Sequence, residues 1–575
     1  MNVELPPYVR GEAGDGAVAS RIGGGAMGGK ATGLVAAREV LARGDFGEVD
    51  ADVPRFAVLC ADVFDTFMAG LDVEAIVAPG ATDERIAHAF QKHDFPIEHV
   101  GDLRALVERT HTPIAVRSSS MLEDALAHPF AGVYETKMIP NDQPDSDTRF
   151  QKLVEAIKFV YASMFFRGAR AYLQAIGKTA RDEKMAVVLQ DVVGMRHGDR
   201  YYPHVSGVGR TYNYYAFGRA RPQDGVVSLA LGLGKTIVDG GVAWSYSPAY
   251  PKIPPPVGSV AELLKTTQTT FWAVNMGAPP AFDPVSEIEY MEARPLADAD
   301  YDGVLDWVAS TVDHNGRLVP GARGDGVRVV NFAPLLEYDA FPLNPLVRAL
   351  LEAFEKAMGA DVEIEFALDL PTRTAPRARL GFLQVRPMAG PRDTVDIPAE
   401  PPAGLAVLLG SERAMGNGVV DTIEDIVYVR PDAFALEHSR TAANDLEAVN
   451  RALLGEGRRY LLIGFGRWGS ADPWLGIPVS WPQICAAGAI VEACIPGVRV
   501  DPSQGSHFFH NLSSFGVSYF TVRSEGAIDW AWLQRIAPRA ETALVRHLRL
   551  ETPLHILVDG RSGRGVVYRP SRGEG

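Results

Sequence analysis

Apolar residues recur at two spacings along the chain, and the two spacings alternate. Residues 30–43 and 151–175 place apolar side chains three and four positions apart, which predicts two helices. Residues 185–193 and 327–333 are apolar runs rich in valine, which predicts strands. Further strands are predicted at 425–431, 459–466 and 519–524. Because helical and strand patterns interleave over the whole length, we expect an α+β or α/β fold.

Two proline-rich segments interrupt these patterns. Residues 245–259 are typical of a surface loop, because strand and helix patterns resume on both sides. Residues 392–406 are polar, contain three prolines and lie between two strand-like regions, as an interdomain linker does. We therefore predict a large domain at 1–396, a linker at 397–406 and a smaller α/β domain at 407–575.

Composition narrows the class of protein. The 575 residues are 47% apolar and 22% charged, which is ordinary for globular domains, and their formal net charge is −15. An acidic surface repels phosphate backbones, so we expect no nucleic-acid partner. We found neither a run of 18 apolar residues nor a basic leader segment, which predicts a cytoplasmic protein with no membrane partner. Three cysteines without metal-site spacing indicate neither a disulfide framework nor a zinc site.

A glycine-rich segment, Gly23-Gly24-Gly25-Ala26-Met27-Gly28-Gly29-Lys30, leads into the first predicted helix. Glycines allow backbone N–H groups to approach a phosphate closely, and the positive end of a helix dipole attracts it. The ammonium group of Lys30 adds a point charge at the same place. The segment predicts a phosphate site, although a flexible turn would have a similar composition.

A second segment, residues 113–124, carries an arginine at the end of an apolar strand. Arg117 is followed by three serines and then by Glu123 and Asp124. A guanidinium fork matches the oxygens of a phosphate chain. A plain surface ion pair is the commoner role of a single arginine, so this segment alone leaves both interpretations open.

Paired carboxylates occur near the end of the large domain. Glu363 and Glu365 are two positions apart in a strand pattern, so they project to the same face and suit a hard cation. The next strand brings Gln384 and Arg386 beside them. Two carboxylates on the wet face of an edge strand are the alternative, and residues 287–290 repeat the pattern more weakly.

Taken in order, these segments resemble the N-terminal ATP-binding domain of pyruvate phosphate dikinase and phosphoenolpyruvate synthase. The shared motifs are the Gly-Gly-Lys entry at 28–30, V-R-S-S with its E-D pair at 116–124, F-A-G-x-x-E-T at 130–136, the strand ending at Gln190, and the E-I-E-F and L-Q-x-R-P strands at 363–387. The resemblance covers roughly residues 20–390. It implies an ATP-grasp fold, in which two α+β lobes close over Mg²⁺ and ATP.

The resemblance also implies roles for individual residues. Lys30 and Arg117 would contact phosphates, and Gln190 would lie on the adenine-side strand. Glu363 and Glu365 would bind Mg²⁺. The remaining residues of the nucleotide pocket would be Glu123, Gln384 and Arg386. Two departures stand out. Lys235 occupies the place of an acidic residue in the family's G-L-G-E loop, and residues 245–330 are only loosely similar.

The second half is too short for the whole family enzyme. A pyruvate-binding TIM barrel takes about 250 residues, and only about 180 follow position 395. Residues 505–507, Gly-Ser-His, precede a short helical pattern, a glycine and an apolar strand, in the order found around the family's carrier histidine. His507 is therefore a candidate nucleophile, with packing among the neighbouring aromatic residues as the alternative. Residues 464–476 suit either a small anion pocket around Arg467 or the packing of two tryptophans in a core.

These observations predict an ATP-dependent phosphotransferase of the dikinase type. Lys30 and Arg117 would neutralise the transferring phosphoryl group, and His507 would accept it before an unidentified small molecule does. Two other hypotheses stay open. The chain could be a nucleotide-sensing module without catalysis, or it could be a half-enzyme that works as a homodimer or with a partner chain.

Overall fold

A computed structural model describes most of the chain. The described residues are 5–10, 18–47, 49–78, 80–123, 132–175, 178–213, 216, 219–239, 241–255, 259–373, 375–388, 395–470, 474–494, 512 and 517–571. The α-helices in this part of the chain are Gly28–Arg43, Ala61–Met68, Val73–Ile76, Asp83–Lys92, Ile97–Arg109, Ser146–Ser163, Arg167–Ala175, Lys235–Val238, Val260–Thr266, Leu296–Tyr301, Leu305–Val308, Ala333–Leu336, Leu343–Met358, Ser439–Gly455 and Trp530–Arg535. None of the described helices is both long and apolar enough to cross a membrane.

The described strands of the large domain form four sheets. In spatial order, the five-stranded sheet contains Ala19–Ile22, Phe56–Leu59, Met185–Asp191, Ile114–Ser120 and Thr136–Ile139. The six-stranded sheet contains Trp244–Tyr246, Val226–Ala230, Val205–Arg210, Val362–Asp369, Arg379–Pro387 and Asp50–Asp52. Two smaller sheets contain Met291–Pro295, Thr270–Asn275, Arg200–Tyr202 and Met195–His197, and Leu318–Pro320, Ala309–Val312 and Val327–Val330.

The five-stranded sheet is buried on both faces, which explains its nearly continuous apolar strands. Val187 and Leu189 belong to the same apolar cluster as the helix Ser146–Ser163. Val188, on the opposite face, clusters with the helix Gly28–Arg43. We call this sheet with its helices the first lobe.

The six-stranded sheet and the two smaller sheets of the large domain form the second lobe. Its core lies between the six-stranded sheet and the helix Leu343–Met358, where the rings of Phe354 and Phe382 stack with centroids 4.2 Å apart. The helix Gly28–Arg43 contributes to this core as well as to the first lobe. The two lobes are therefore joined through one shared helix.

One helix predicted from the sequence is divided into two helices in the structure. The expected helix at 151–175 starts earlier and is divided into Ser146–Ser163 and Arg167–Ala175. The backbone N–H of Arg167 donates to the carboxylate of Asp83 at 2.7 Å, so a residue from another helix caps the second one. This contact lies 84 positions away in sequence, and local spacing does not reveal it.

The residues after the predicted linker, which we call the smaller domain, contain a seven-stranded sheet. In spatial order its strands are Ala414–Met415, Ser518–Val522, Ala487–Ala493, Tyr460–Phe465, Asp425–Val429, Val545–Arg549 and Ala540–Glu541. A four-stranded sheet of Leu405–Ser411, Arg564–Pro570, His555–Asp559 and Gly418–Val420 and the pair Arg467–Trp468 and Gly476–Ile477 complete it. The first strand begins at Leu405, two positions before the predicted domain start. Four neighbouring parallel strands at the centre of the seven-stranded sheet are almost wholly buried.

The smaller domain contacts both lobes. Its apolar cluster is continuous with that of the first lobe, and Gly168 lies against the ring of Pro482. Arg167 and Glu447 form an ion pair at 3.3 Å across this contact. On the second lobe, the hydroxyl of Tyr212 donates to the carbonyl oxygen of Gly560 at 3.0 Å, and this contact is buried.

Candidate functional site

A cavity of about 340 Å³ lies between the two lobes. Seven of the nine residues that the sequence nominated line it, namely Lys30, Arg117, Glu123, Gln190, Glu365, Gln384 and Arg386. One wall is apolar and consists of Ala115, Met138, Val192, Val193, Leu233 and Met291. The combination of an apolar wall and converging polar side chains is typical of a small-ligand site.

The glycine-rich segment is shaped by two close approaches. Gly28 has a φ of +79°, and a Cβ atom there would overlap the carbonyl oxygen of Ser119. Gly24 donates its N–H to the carboxylate of Asp62 at 2.7 Å. Burial would raise the pKa of Asp62, but backbone hydrogen bonds, including those from Gly24 and Gly25, outweigh it and lower that pKa. The predicted phosphate cradle is thus occupied in part by an internal carboxylate, and Lys30 is the residue of this segment that lines the cavity.

Lys30 is held at the cavity by Glu123. Its Nζ lies 3.3 Å from Oε1 of Glu123, and both side chains are buried. Glu123 also accepts hydrogen bonds from the hydroxyl of Ser118 and the N–H of Ser120, both at 2.8 Å. The hydroxyl of Ser119 accepts from the N–H of Ala31 at 3.0 Å, in the first turn of the helix that carries Lys30. The serines after Arg117 therefore position the lysine.

Arg117 links the two lobes across the cavity. Its Nη1 donates to Oε1 of Gln190 in the first lobe and to the carbonyl oxygen of Leu383 in the second, at 2.9 and 2.8 Å. Its Nη2 donates to Oε1 of Gln384 at 2.9 Å. Since a guanidinium group only donates, both amide oxygens must face it. Gln190 as a residue is 2% exposed. Its Nε2 then has no hydrogen-bond partner within the described residues.

The carboxylate pair lies among three cationic or amide side chains of the six-stranded sheet. Strand register sets Glu363 opposite Arg386 and Glu365 opposite Gln384. Glu365 lines the cavity, with its Oε1 3.2 Å from Nη2 of Arg386. Glu363 is not part of the lining, and it accepts from Nε of Arg210 at 2.6 Å. The two glutamates share a face as predicted, but only Glu365 reaches the cavity.

A third charged group lines the cavity where the sequence nominated no site residue. Nζ of Lys235 lies 3.0 Å from both Asp239 and Glu287. Glu135 completes this group, which we call the Lys235 cluster. Burial and repulsion by Glu287 raise the pKa of Glu135 to about 7, while Lys235 opposes the shift.

Sequence reasoning missed the Lys235 cluster because its members lie in separate segments. Two signals pointed to it, namely the lysine at 235 in place of the family's acidic residue and the weaker carboxylate pattern at 287–290. That pattern is not a second cation site. Glu287 pairs with Lys235, and Glu289 forms a buried ion pair with Lys137 at 2.7 Å.

The remaining nominated residue, His507, lies outside the described residues. Within the described residues, no group of three or more His, Cys, Asp and Glu side chains is arranged to hold a metal ion. A Mg²⁺ ion bound through one or two carboxylates and substrate phosphates needs no such group. Of the two predicted metal carboxylates, Glu365 is the one that lines the cavity.

The fold and the site together define a mixed α+β protein with a cavity between two lobes that charged side chains line. Comparison with known protein families assigns the chain to one of them. Residues 25–399, about two thirds of the chain, match the family described as "Pyruvate phosphate dikinase, AMP/ATP-binding domain". The chain belongs to this family of ATP-using phosphotransferases. Among curated proteins none matches the chain at a significant level.

Proposed function

We propose that the protein is a kinase of the dikinase type that binds Mg²⁺ and ATP in the cavity between the lobes. The observation that supports this most strongly is the convergence of Lys30, Arg117 and Arg386 on one cavity. Six carboxylates line the same cavity, so a polyanion at these three cations would be bound together with Mg²⁺, which offsets the carboxylates. Arginine and lysine at such a site neutralise charge on a transferring phosphoryl group.

The two ends of the cavity suit the two ends of ATP. Its apolar wall, which includes Met138 and Leu233, offers a flat surface for a base. Nε2 of Gln190 would donate to an acceptor atom of that base, since it is a buried donor without a partner among the described residues. The phosphates would lie toward Lys30 and Arg386. This arrangement is the ATP-grasp mode that the sequence resemblance implies.

Magnesium would be held by Glu365 together with phosphate oxygens of ATP. Bound there, Mg²⁺ would neutralise phosphate charge during transfer. Glu363 would not contact the metal ion and would instead position Arg386. It is buried between Arg210 and Arg386, so it fixes the guanidinium group of Arg386 beside Glu365.

The phosphoryl acceptor that we propose is His507, followed by a small molecule. A neutral imidazole is a competent nucleophile toward phosphorus, and the Gly-Ser-His segment resembles the family's carrier segment.

The test is phosphate transfer by the full chain. The protein would be incubated with Mg²⁺ and ATP labelled at the β or γ position, and AMP, ADP and acid-labile protein phosphate would be measured. We expect labelled protein, with the label lost in His507→Ala and kept in the control His438→Ala, which changes a half-exposed histidine of the same domain. Equal labelling of His507→Ala would overturn the assignment of His507. Absence of AMP, ADP and protein phosphate with every acceptor tried would overturn the proposal that the protein is a kinase.

That last result would favour the sensing module. One feature already suits such a role. The smaller domain contacts the first lobe through Arg167 and Glu447, and the second lobe through Tyr212 and Gly560. A change in the angle between the lobes on ATP binding would therefore be passed directly to the smaller domain.

A further inference from the structure

The Lys235 cluster forms a third wall of the cavity, distinct from the apolar wall and from the cationic end. It brings three carboxyl groups, those of Glu135, Asp239 and Glu287, around one ammonium group. Its charge is thus opposite to that of the Lys30 end. A ligand group that belongs here offers hydrogen-bond donors and carries no negative charge.

The carboxylates of this wall are held in place before any ligand arrives. Lys235 donates to Oε2 of Glu287 at 3.0 Å and lies equally close to Oδ2 of Asp239. Two positions along the chain, Glu289 forms a buried ion pair with Lys137. This pair fixes the segment that carries Glu287. Acceptors held in this way bind a donor without the entropy loss of ordering long side chains.

The cluster lines the same cavity as the two ends proposed for ATP. Lys235 follows Leu233 of the apolar wall by two positions. Glu135 precedes Thr136, which stands opposite Arg117 in the five-stranded sheet. A group that contacts this wall therefore shares one cavity with the base and the phosphates proposed above.

A second observation points to a ligand in the same cavity. The buried Nε2 of Gln190 lacks a hydrogen-bond partner among the described residues, and its side chain lines the cavity. A buried amide donor is ordinarily satisfied by a ligand or an ordered water. The Lys235 cluster thus faces a space that is already built to receive a polar molecule.

We propose that Glu135, Asp239 and Glu287 form a subsite for the sugar hydroxyls of a ribonucleotide, held in place by Lys235. Sugar hydroxyls are neutral donors between base and phosphates, and carboxylates are the side chains that commonly accept from them. The subsite makes the protein select ribonucleotides over deoxyribonucleotides. This proposal rests on the proposed function, because it takes the cavity as the nucleotide site.

The experiment is a set of binding isotherms on the full chain with ATP, 2′-deoxy-ATP and 3′-deoxy-ATP, each with Mg²⁺. The variants are Glu287→Gln and Asp239→Asn, which keep side-chain shape. The matched control is Glu292→Gln, which changes a half-exposed carboxylate that does not line the cavity. Thermal unfolding of each variant checks that it is folded.

We expect the unaltered protein to bind ATP at least tenfold more tightly than one of the two deoxynucleotides. In Glu287→Gln or Asp239→Asn the affinity for ATP should fall to that of the deoxynucleotide. The affinity of each variant for the deoxynucleotide should stay within about twofold of that of the unaltered protein. The control should keep full selectivity. Equal affinity of the unaltered protein for all three nucleotides would overturn the subsite and leave the nucleotide site standing. Failure of all three to bind would overturn the proposed function, and the subsite with it.

Discussion

At the scale of single residues, the site depends on a few side chains that hold others in position. Glu123 holds Lys30, and Arg117 orients the amide groups of Gln190 and Gln384. Each of these contacts joins segments far apart in sequence. A substitution at a positioning residue therefore changes the site through its neighbour.

Gly28 offers a stability test of the loop that leads to Lys30. Gly28→Ala should lower the free energy of unfolding by about 3 kcal/mol, because φ is positive there and a Cβ would overlap the backbone of Ser119. Gly33→Ala, in the same helix, is the control, because its Cβ would lie 3.8 Å from the nearest atom, the carbonyl oxygen of Val385. It should be neutral or stabilise by up to about 1 kcal/mol. Urea unfolding measures both, and a similar effect of the two substitutions would contradict the close approach described here.

Glu135 gives the cavity a pH dependence near neutrality. Burial and the charges of Glu287, Asp239 and Asp83 raise its pKa to about 7, and Lys235 opposes them. The carboxyl group is therefore largely protonated at pH 6 and ionised at pH 8. The ionised group is a stronger acceptor than the protonated group, which uses one oxygen as a donor, so affinity for ATP should rise severalfold from pH 6 to pH 8.

The control for this effect is Glu135→Gln, since ATP has a titrating phosphate of its own. The amide does not ionise, so the part of the rise that belongs to Glu135 should disappear in the variant. Calorimetric titrations at pH 6, 7 and 8 make the comparison. Identical pH profiles of the two proteins would show that Glu135 is not the responding group.

At the scale of elements, the segment 283–291 fastens the second lobe to the first. Glu289 in this segment and Lys137 in the strand Thr136–Ile139 are 1–2% exposed and lie 2.7 Å apart. Lys137 also donates to the carbonyl oxygen of Asp283. A buried pair of this kind is far more sensitive to the loss of one partner than to the loss of both.

Lys137→Met should therefore lower the free energy of unfolding by about 3–5 kcal/mol, because Glu289 stays buried without a counter-charge. The double variant Lys137→Met with Glu289→Leu should recover most of that loss. Denaturant unfolding of both variants and of Glu289→Leu completes the cycle. An additive result, with no recovery in the double variant, would mean that the two side chains do not act as a pair.

Elements are also the scale at which sequence reasoning succeeded and failed. The period-two spacing of Glu363 and Glu365 correctly predicted a shared face, because that property is local to one strand. The helix at 151–175 was predicted without its break, because Asp83 caps Arg167 from another part of the chain. The grouping of Lys235 with carboxylates of other segments was not predicted for the same reason, although the sequence singled out Lys235 itself. Local periodicity predicts elements, whereas ion pairs and caps between distant segments depend on the tertiary fold.

At the scale of the whole molecule, the ordered motifs carried the prediction of the family, and the match to residues 25–399 confirms it. The smaller domain shares an apolar cluster with the first lobe and bonds to the second lobe through Tyr212. In this structure it is docked on the large domain.

The central claim is that ATP binds between the lobes with its phosphates at Lys30 and Arg386. The most direct test is a crystal structure of the full chain with Mg²⁺ and a non-hydrolysable ATP analogue. We predict that phosphate oxygens lie within hydrogen-bond distance of Lys30 and Arg386, and that the base lies against Met138 and Leu233 near Nε2 of Gln190. An analogue bound elsewhere on the molecule, with this cavity filled by water, would contradict the claim.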